Sequence, residues 1–202
     1  LVVTGGLIAL CFGIRRHYDK VGGKVQRLYS TLLEFPRSPE ASDRRVEPRK
    51  QEPVAAVLVG DYGGVGLHTC MTAVARFPHH FDGVVFVSVG VVDSKEFKGE
   101  GTVEALRENV ERNLKRYVEF ARNQGIPATY RLSIDTEAVE GAERLCLELL
   151  KEYPRVTFFA GKVIFGKERW YHAILHNGTA YAIQKRLQWA GQMVVVVPVR
   201  VT

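Results

Sequence analysis

Cysteine is scarce in this chain. Cys11, Cys70 and Cys146 are spread over 202 residues, and no CxxC pair occurs. That excludes a disulfide framework and predicts buried thiols in a reducing compartment. Catalytic signatures are missing as well: there is no GxSxG elbow, no HExxH and no carboxylate pair at a supporting spacing. His172 and His176 stand four apart, as zinc ligands on one helix face do, but no third ligand accompanies them. His79 and His80 follow Pro78 in a turn and read as solvated. Asp93 and Ser94 read as turn or cap residues. Nothing in these residues specifies an enzyme.

Charge is absent from Leu1 to Ile14, and Arg15, Arg16, His17, Asp19 and Lys20 follow at once. The run is shorter than the roughly 20 apolar residues of a membrane span, yet it fits the second half of one. Cations at its end mark that side as cytoplasmic. A buried strand or core helix is the competing reading. Thr4, Gly5 and Gly6 favour the membrane helix, because Gly costs about 1 kcal/mol against Ala in a soluble one. The net charge of +6 is concentrated rather than spread. Residues 15–50 hold ten Lys or Arg against five Asp or Glu, so they supply +5 of it. Basic charge beside a membrane exit matches anionic headgroups of the inner leaflet. The remainder is close to neutral, which argues against nucleic acid as a partner.

Val21, Val25, Leu28, Leu32 and Phe35 recur at helical spacing, with Lys20, Lys24 and Arg27 on neighbouring faces. Residues 15–35 therefore read as a basic amphipathic segment, lying on headgroups or docked on the domain that follows. Residues 36–53 hold four of the eight prolines and one aliphatic residue larger than Ala, Val46. Such a stretch buries too little apolar surface to offset its ordering entropy, so it reads as a disordered linker.

From Val54 onward, apolar β-branched runs alternate with helical stripes. Strands are expected at Val54–Gly60, Asp82–Val92, Ala128–Ile134, Val156–Ala160 and Gln192–Val199. Helices are expected at about Val65–Phe77, after Thr102 as cap up to Gly125, after Asp135 or Thr136 as cap, and at about Trp170–Leu187. Strands apolar on both faces need cover on both, so residues 54–202 predict a five-stranded, mostly parallel, doubly wound α/β sheet.

Ligands in such sheets bind beyond the carboxyl ends of the strands, where strand order reverses. Two loops qualify. After strand one come Gly60, Asp61, Tyr62, Gly63, Gly64, Val65 and Gly66, which read either as a tight turn or as a close approach to a phosphate at a helix N-terminus. The loop is neither GxGxxG nor a P-loop. After strand four come Gly161, Lys162 and, further on, Gly166, Lys167 and Arg169, where cations near glycines suit an anion or simply solvent. Asn177, Gly178 and Thr179 follow.

The alternation over Val54–Val199 resembles the universal stress protein fold. The apolar run, the RRHYDKV exit (Arg15–Val21), VSVGVVDS (Val87–Ser94) and AIQKRLQWAG (Ala182–Gly191) resemble the C-terminal end of permeases of the amino acid–polyamine–organocation superfamily. That resemblance implies strand order 3-2-1-4-5 and a non-catalytic regulatory or interaction domain behind a transmembrane transport unit. The expected partners are that unit, inner-leaflet anionic lipids and a second copy. The stress-protein resemblance also implies an alternative, an ATP- or AMP-binding module. Asp61 would then meet the base or ribose, and Gly63, Gly64, Gly66, Gly161, Lys162, Gly166, Gly178 and Thr179 would line the phosphates. Between Gly161, Gly166 and Gly178 lie four and eleven residues, where nucleotide-binding members have two and nine.

Overall fold

The computed structural model describes Phe12 and residues 46–92, 100–165 and 178–201. Most of the apolar run, the amphipathic segment, residues 36–45 of the linker, Asp93, Ser94, Gly166, His172 and His176 lie outside these. No helix among the described residues is long and apolar enough to cross a membrane.

In chain order the elements are β1 (Val54–Leu58), α1 (Gly64–Arg76), β2 (Gly83–Val91), α2 (Glu100–Asn123), β3 (Ala128–Asp135), α3 (Ala138–Glu152), β4 (Val156–Phe165), α4 (Thr179–Trp189) and β5 (Val194–Val201). The five strands form one sheet in the order β3-β2-β1-β4-β5, and all four pairings are parallel. The doubly wound α/β architecture and its strand order are therefore as expected.

Alternation along the strands sorts the core into two layers, because successive side chains leave opposite faces. Ala55, Val57, Val84, Phe86 and Phe159 meet Leu67 and Cys70 of α1 and Leu114, Tyr117 and Ala121 of α2. Val54, Ala56, Val85, Val87 and Phe158 meet Ala142, Leu145 and Leu149 of α3 and Ile183 and Leu187 of α4. Burial pushes the Cys70 and Cys146 thiols up to about 12, one in each layer.

Helix α2 stops where Gly125 takes φ 74°, and the Ile126 N–H returns to the Ala121 carbonyl at 3.0 Å. Its start differs from expectation. The helix begins at Glu100, so Thr102 lies inside it and is not the cap. Asp135 belongs to β3, and Glu137 holds the N-cap position of α3. The Asp135 carboxylate nevertheless accepts the Thr136 N–H at 2.7 Å and pairs with Arg144. The Thr136 bond above all, with Arg144 adding to it, holds the carboxyl below its usual range.

Residues 46–53 also depart from the linker reading. Pro48 is buried, the Ala128 N–H donates to the Val46 carbonyl, and Arg49 forks onto Asp82 at 2.8 and 3.1 Å. Few side chains are needed here, since backbone bonds and one ion pair, whose second carboxylate oxygen accepts the Arg49 backbone N–H at 2.7 Å, pin the stretch across the sheet end.

Candidate functional site

The strand order reverses between β1 and β4, which pair from Val54↔Val156 to Leu58↔Ala160. Beyond this switch point, between α3 and α4, lies a cleft of about 250 Å³. Leu58, Val87, Val89, Ala142 and Ile183 wall it, while Gly60, Gly161 and Thr179 bring backbone and one hydroxyl to its edge. It is an apolar slot, slightly smaller than the roughly 300–1,000 Å³ of drug-sized ligand pockets.

The glycine loop after β1 faces the other way, toward α2. There the buried Tyr117 hydroxyl donates to the Asp61 carbonyl at 2.9 Å and accepts the Gly63 N–H at 3.0 Å. Its ring stacks on Phe86 and meets Tyr62 edge-on, with centroids 5.2 and 4.7 Å away. Arg116 lies 4.0 Å over the Tyr62 ring. Burial raises the Tyr117 phenol, so it stays protonated and can donate at any physiological pH. The exposed Asp61 carboxylate accepts from Asn113 of α2 at 3.2 Å. Asp61 and Gly63 are thus joined by a tyrosine that already occupies the turn.

The glycines have distinct structural causes. A Cβ on Gly66 would stand 2.3 Å from the Tyr117 hydroxyl oxygen. One on Gly161 would stand 2.3 Å from Thr69 Oγ1 and 2.9 Å from a Val65 methyl. Both permit close approach of α1. Gly64 is buried as the first residue of α1, and Gly63 is extended, at φ −174°. Thr69 is itself fully buried and donates to the Val65 carbonyl at 2.7 Å.

Gly161 and Lys162 lie within β4, not in a loop after it. The strand continues to Phe165, paired to β5 through Gly161↔Val197 and Lys162↔Pro198. Lys162 places its ammonium 4.1 Å over the Tyr181 ring. Gly178 caps α4 without a side-chain bond, and Thr179 opens the helix at the cleft edge. Of the nine proposed nucleotide residues, Gly161 and Thr179 line the cleft and Asp61, Gly63, Gly64 and Gly66 serve the α1–α2 side. Gly166 lies outside the described residues.

Tyr117 and Thr69 belong to no motif in the sequence, and Tyr117 falls simply on the apolar face of α2. A signal did exist for Tyr117: a phenol buried in a helix stripe needs a partner for its hydroxyl. Among the described residues no group of three or more His, Cys, Asp or Glu could hold a metal. His79 and His80 are exposed in the turn between α1 and β2.

No protein-family model matches the chain, and no curated protein matches it in sequence. Solved structures do resemble it. A protein of the universal stress protein family from Burkholderia pseudomallei superposes with TM-score 0.51 at 18% identity, covering 75% of this chain and 100% of its own. A universal stress protein from Archaeoglobus fulgidus gives TM-score 0.51 at 12% identity, over 72% of this chain and 93% of its own. At these identities the likeness is one of fold: the domain is universal-stress-protein-like.

Proposed function

We propose that residues 54–202 are a non-catalytic regulatory domain on the cytoplasmic side of a membrane permease for amino acids or related cations. The observation that carries the non-catalytic reading is the switch-point cleft. Among the described residues its walls are aliphatic side chains, backbone and the one hydroxyl of Thr179, with no acid–base pair and no nucleophile–base pair. Such a slot can select a compact ligand by shape, but it supplies no group to move a proton or attack a bond. The permease attachment is supported by the uncharged run before Arg15 and the basic segment after it. In this reading the domain acts through contacts with its own transport unit, with inner-leaflet lipids or with a second copy. Deleting residues 54–202 from the protein in its source cells should change the KM or maximal rate of labelled amino acid uptake while leaving uptake measurable. Unchanged kinetics would contradict a regulatory role.

A second reading, an ATP- or AMP-binding module, is favoured by the position of the cleft. It lies where the strand order reverses, and the first turn of α4 opens beside it without a side-chain cap. Its size and apolar walls suit a base better than a triphosphate.

A further inference from the structure

Helices in a parallel β/α fold run against the strands, so helix C-termini and strand starts share one end of the domain. Val54, Gly83 and Val156 start level, and Phe158 pairs with Val194. At the β4–β5 half of this end three large apolar side chains stand in solvent. Trp189 at the end of α4 is 76% exposed, Met193 before β5 is 65% exposed and Phe77 after α1 is 42% exposed. Exposed cations accompany them: Arg76, Arg155 and Lys185, whose ammonium lies 4.9 Å over the Trp189 ring. No Asp or Glu follows Glu168 in the sequence, so α4 and β5 carry only positive charge. The β1–β3 half of this end carries Asp82, bound by Arg49, and Glu152, bound by Arg131 and Lys50. It also carries Glu47 and Glu52, so the uncompensated positive charge lies on the β4–β5 half.

We propose that this end docks on an anionic bilayer surface, with Trp189, Met193 and Phe77 at headgroup depth and Lys185, Arg155 and Arg76 against lipid phosphates and carboxylates. The inference rests on the membrane reading above. Indole and lysine together are the pairing that membrane interfaces favour. Charge complementarity selects an anionic surface. Geometry agrees: the chain from the +5 segment reaches the fold through Val46–Pro53 at this same end. Ala56, two residues into β1, is two strand positions, or about 10 Å, from Val194.

The test uses the full chain with Trp170→Phe, which leaves Trp189 as the single indole. Its emission should shift to the blue, and acrylamide quenching should fall, on adding phosphatidylcholine vesicles containing phosphatidylserine, but not phosphatidylcholine vesicles alone. Lys185→Ser with Arg155→Ser should weaken that response about thirtyfold, and added salt should reverse it. If the chain sediments with the anionic vesicles while Trp189 stays as quenchable as in buffer, this proposal is overturned and the membrane reading stands. Absence of sedimentation would sink both. A blue shift that grows with protein concentration without vesicles would assign the face to a second copy and overturn the lipid assignment.

Discussion

The Tyr117 hydroxyl lies 2.9 Å from the Asp61 carbonyl oxygen, across 56 residues of sequence. The tyrosine hydroxyl in turn accepts the Gly63 N–H, so one side chain of α2 closes the turn from β1 into α1. A turn that looks built for a phosphate in sequence is held by a phenol in the fold. This locates the useful cavity on the opposite face of the sheet, between α3 and α4.

Removing that oxygen should cost stability directly. Tyr117→Phe leaves the Gly63 N–H without its acceptor and the Asp61 carbonyl without its donor, in a half-buried turn. A loss of about 1–3 kcal/mol in urea unfolding, with an unchanged m-value, is expected. A change below about 0.5 kcal/mol would mean that water replaces the phenol freely.

The glycines should separate by cause. Gly66→Ala and Gly161→Ala each force a methyl into Tyr117 or Thr69 and should destabilise by about 1–3 kcal/mol. For Gly66 this is net of the roughly 1 kcal/mol that Ala gains over Gly inside a helix. Gly63→Ala, whose Cβ would meet only the Asp61 carbonyl at 3.8 Å, should stay within about 0.5 kcal/mol. Thermal melts of the three variants decide this. A Gly63→Ala loss as large as the other two would show that the turn, not α1 packing, sets the requirement.

Acid should act through Glu152. The Arg131 guanidinium, bonded at 2.6 Å, holds its carboxyl below the usual range, with Lys50 adding to this. A carboxylate with a depressed folded pKa contributes stability that is fully present above the unfolded value, and this is lost as pH falls through the folded one. Stability should therefore drop between about pH 5 and pH 3, and Glu152→Gln should flatten that limb. The check is urea unfolding across this range. Parallel curves for the two proteins would rule out the ion pair as the cause.

Nucleotide should bind weakly or not at all. Gly161 and Lys162 are committed to β4, and the glycine turn is committed to Tyr117. ATP at millimolar concentration should leave the melting temperature of the full chain within about 1 °C. Saturation at 100 times the dissociation constant would add about 2.7 kcal/mol, or roughly 5 °C and more for a domain of this size. A shift of that size would move the second reading to first place.

The sheet was legible because the runs VAAVL and GVVFVSVGV are apolar on consecutive residues, which only strands covered on both faces tolerate. The end of β4 was not legible. Gly161 and Lys162 have loop composition, yet Gly161 is required where α1 crosses closely, and the Lys162 ammonium finds the Tyr181 ring of α4. Tyr117 escaped notice because periodicity registers its ring and not its hydroxyl. Val46–Pro53 misled for a related reason, since composition counts apolar side chains and these residues are held by backbone bonds and the Arg49–Asp82 fork.

We propose that this domain sits on the cytoplasmic side of a membrane, joined to a transporter. Proteolysis of membrane vesicles from the source cells, followed with an antibody against residues 54–202, tests it most directly. The epitope should sediment with membranes after a carbonate wash, and added trypsin should destroy it in inside-out but not right-side-out vesicles. Recovery of the epitope in the carbonate supernatant, or cleavage confined to right-side-out vesicles, would contradict the account.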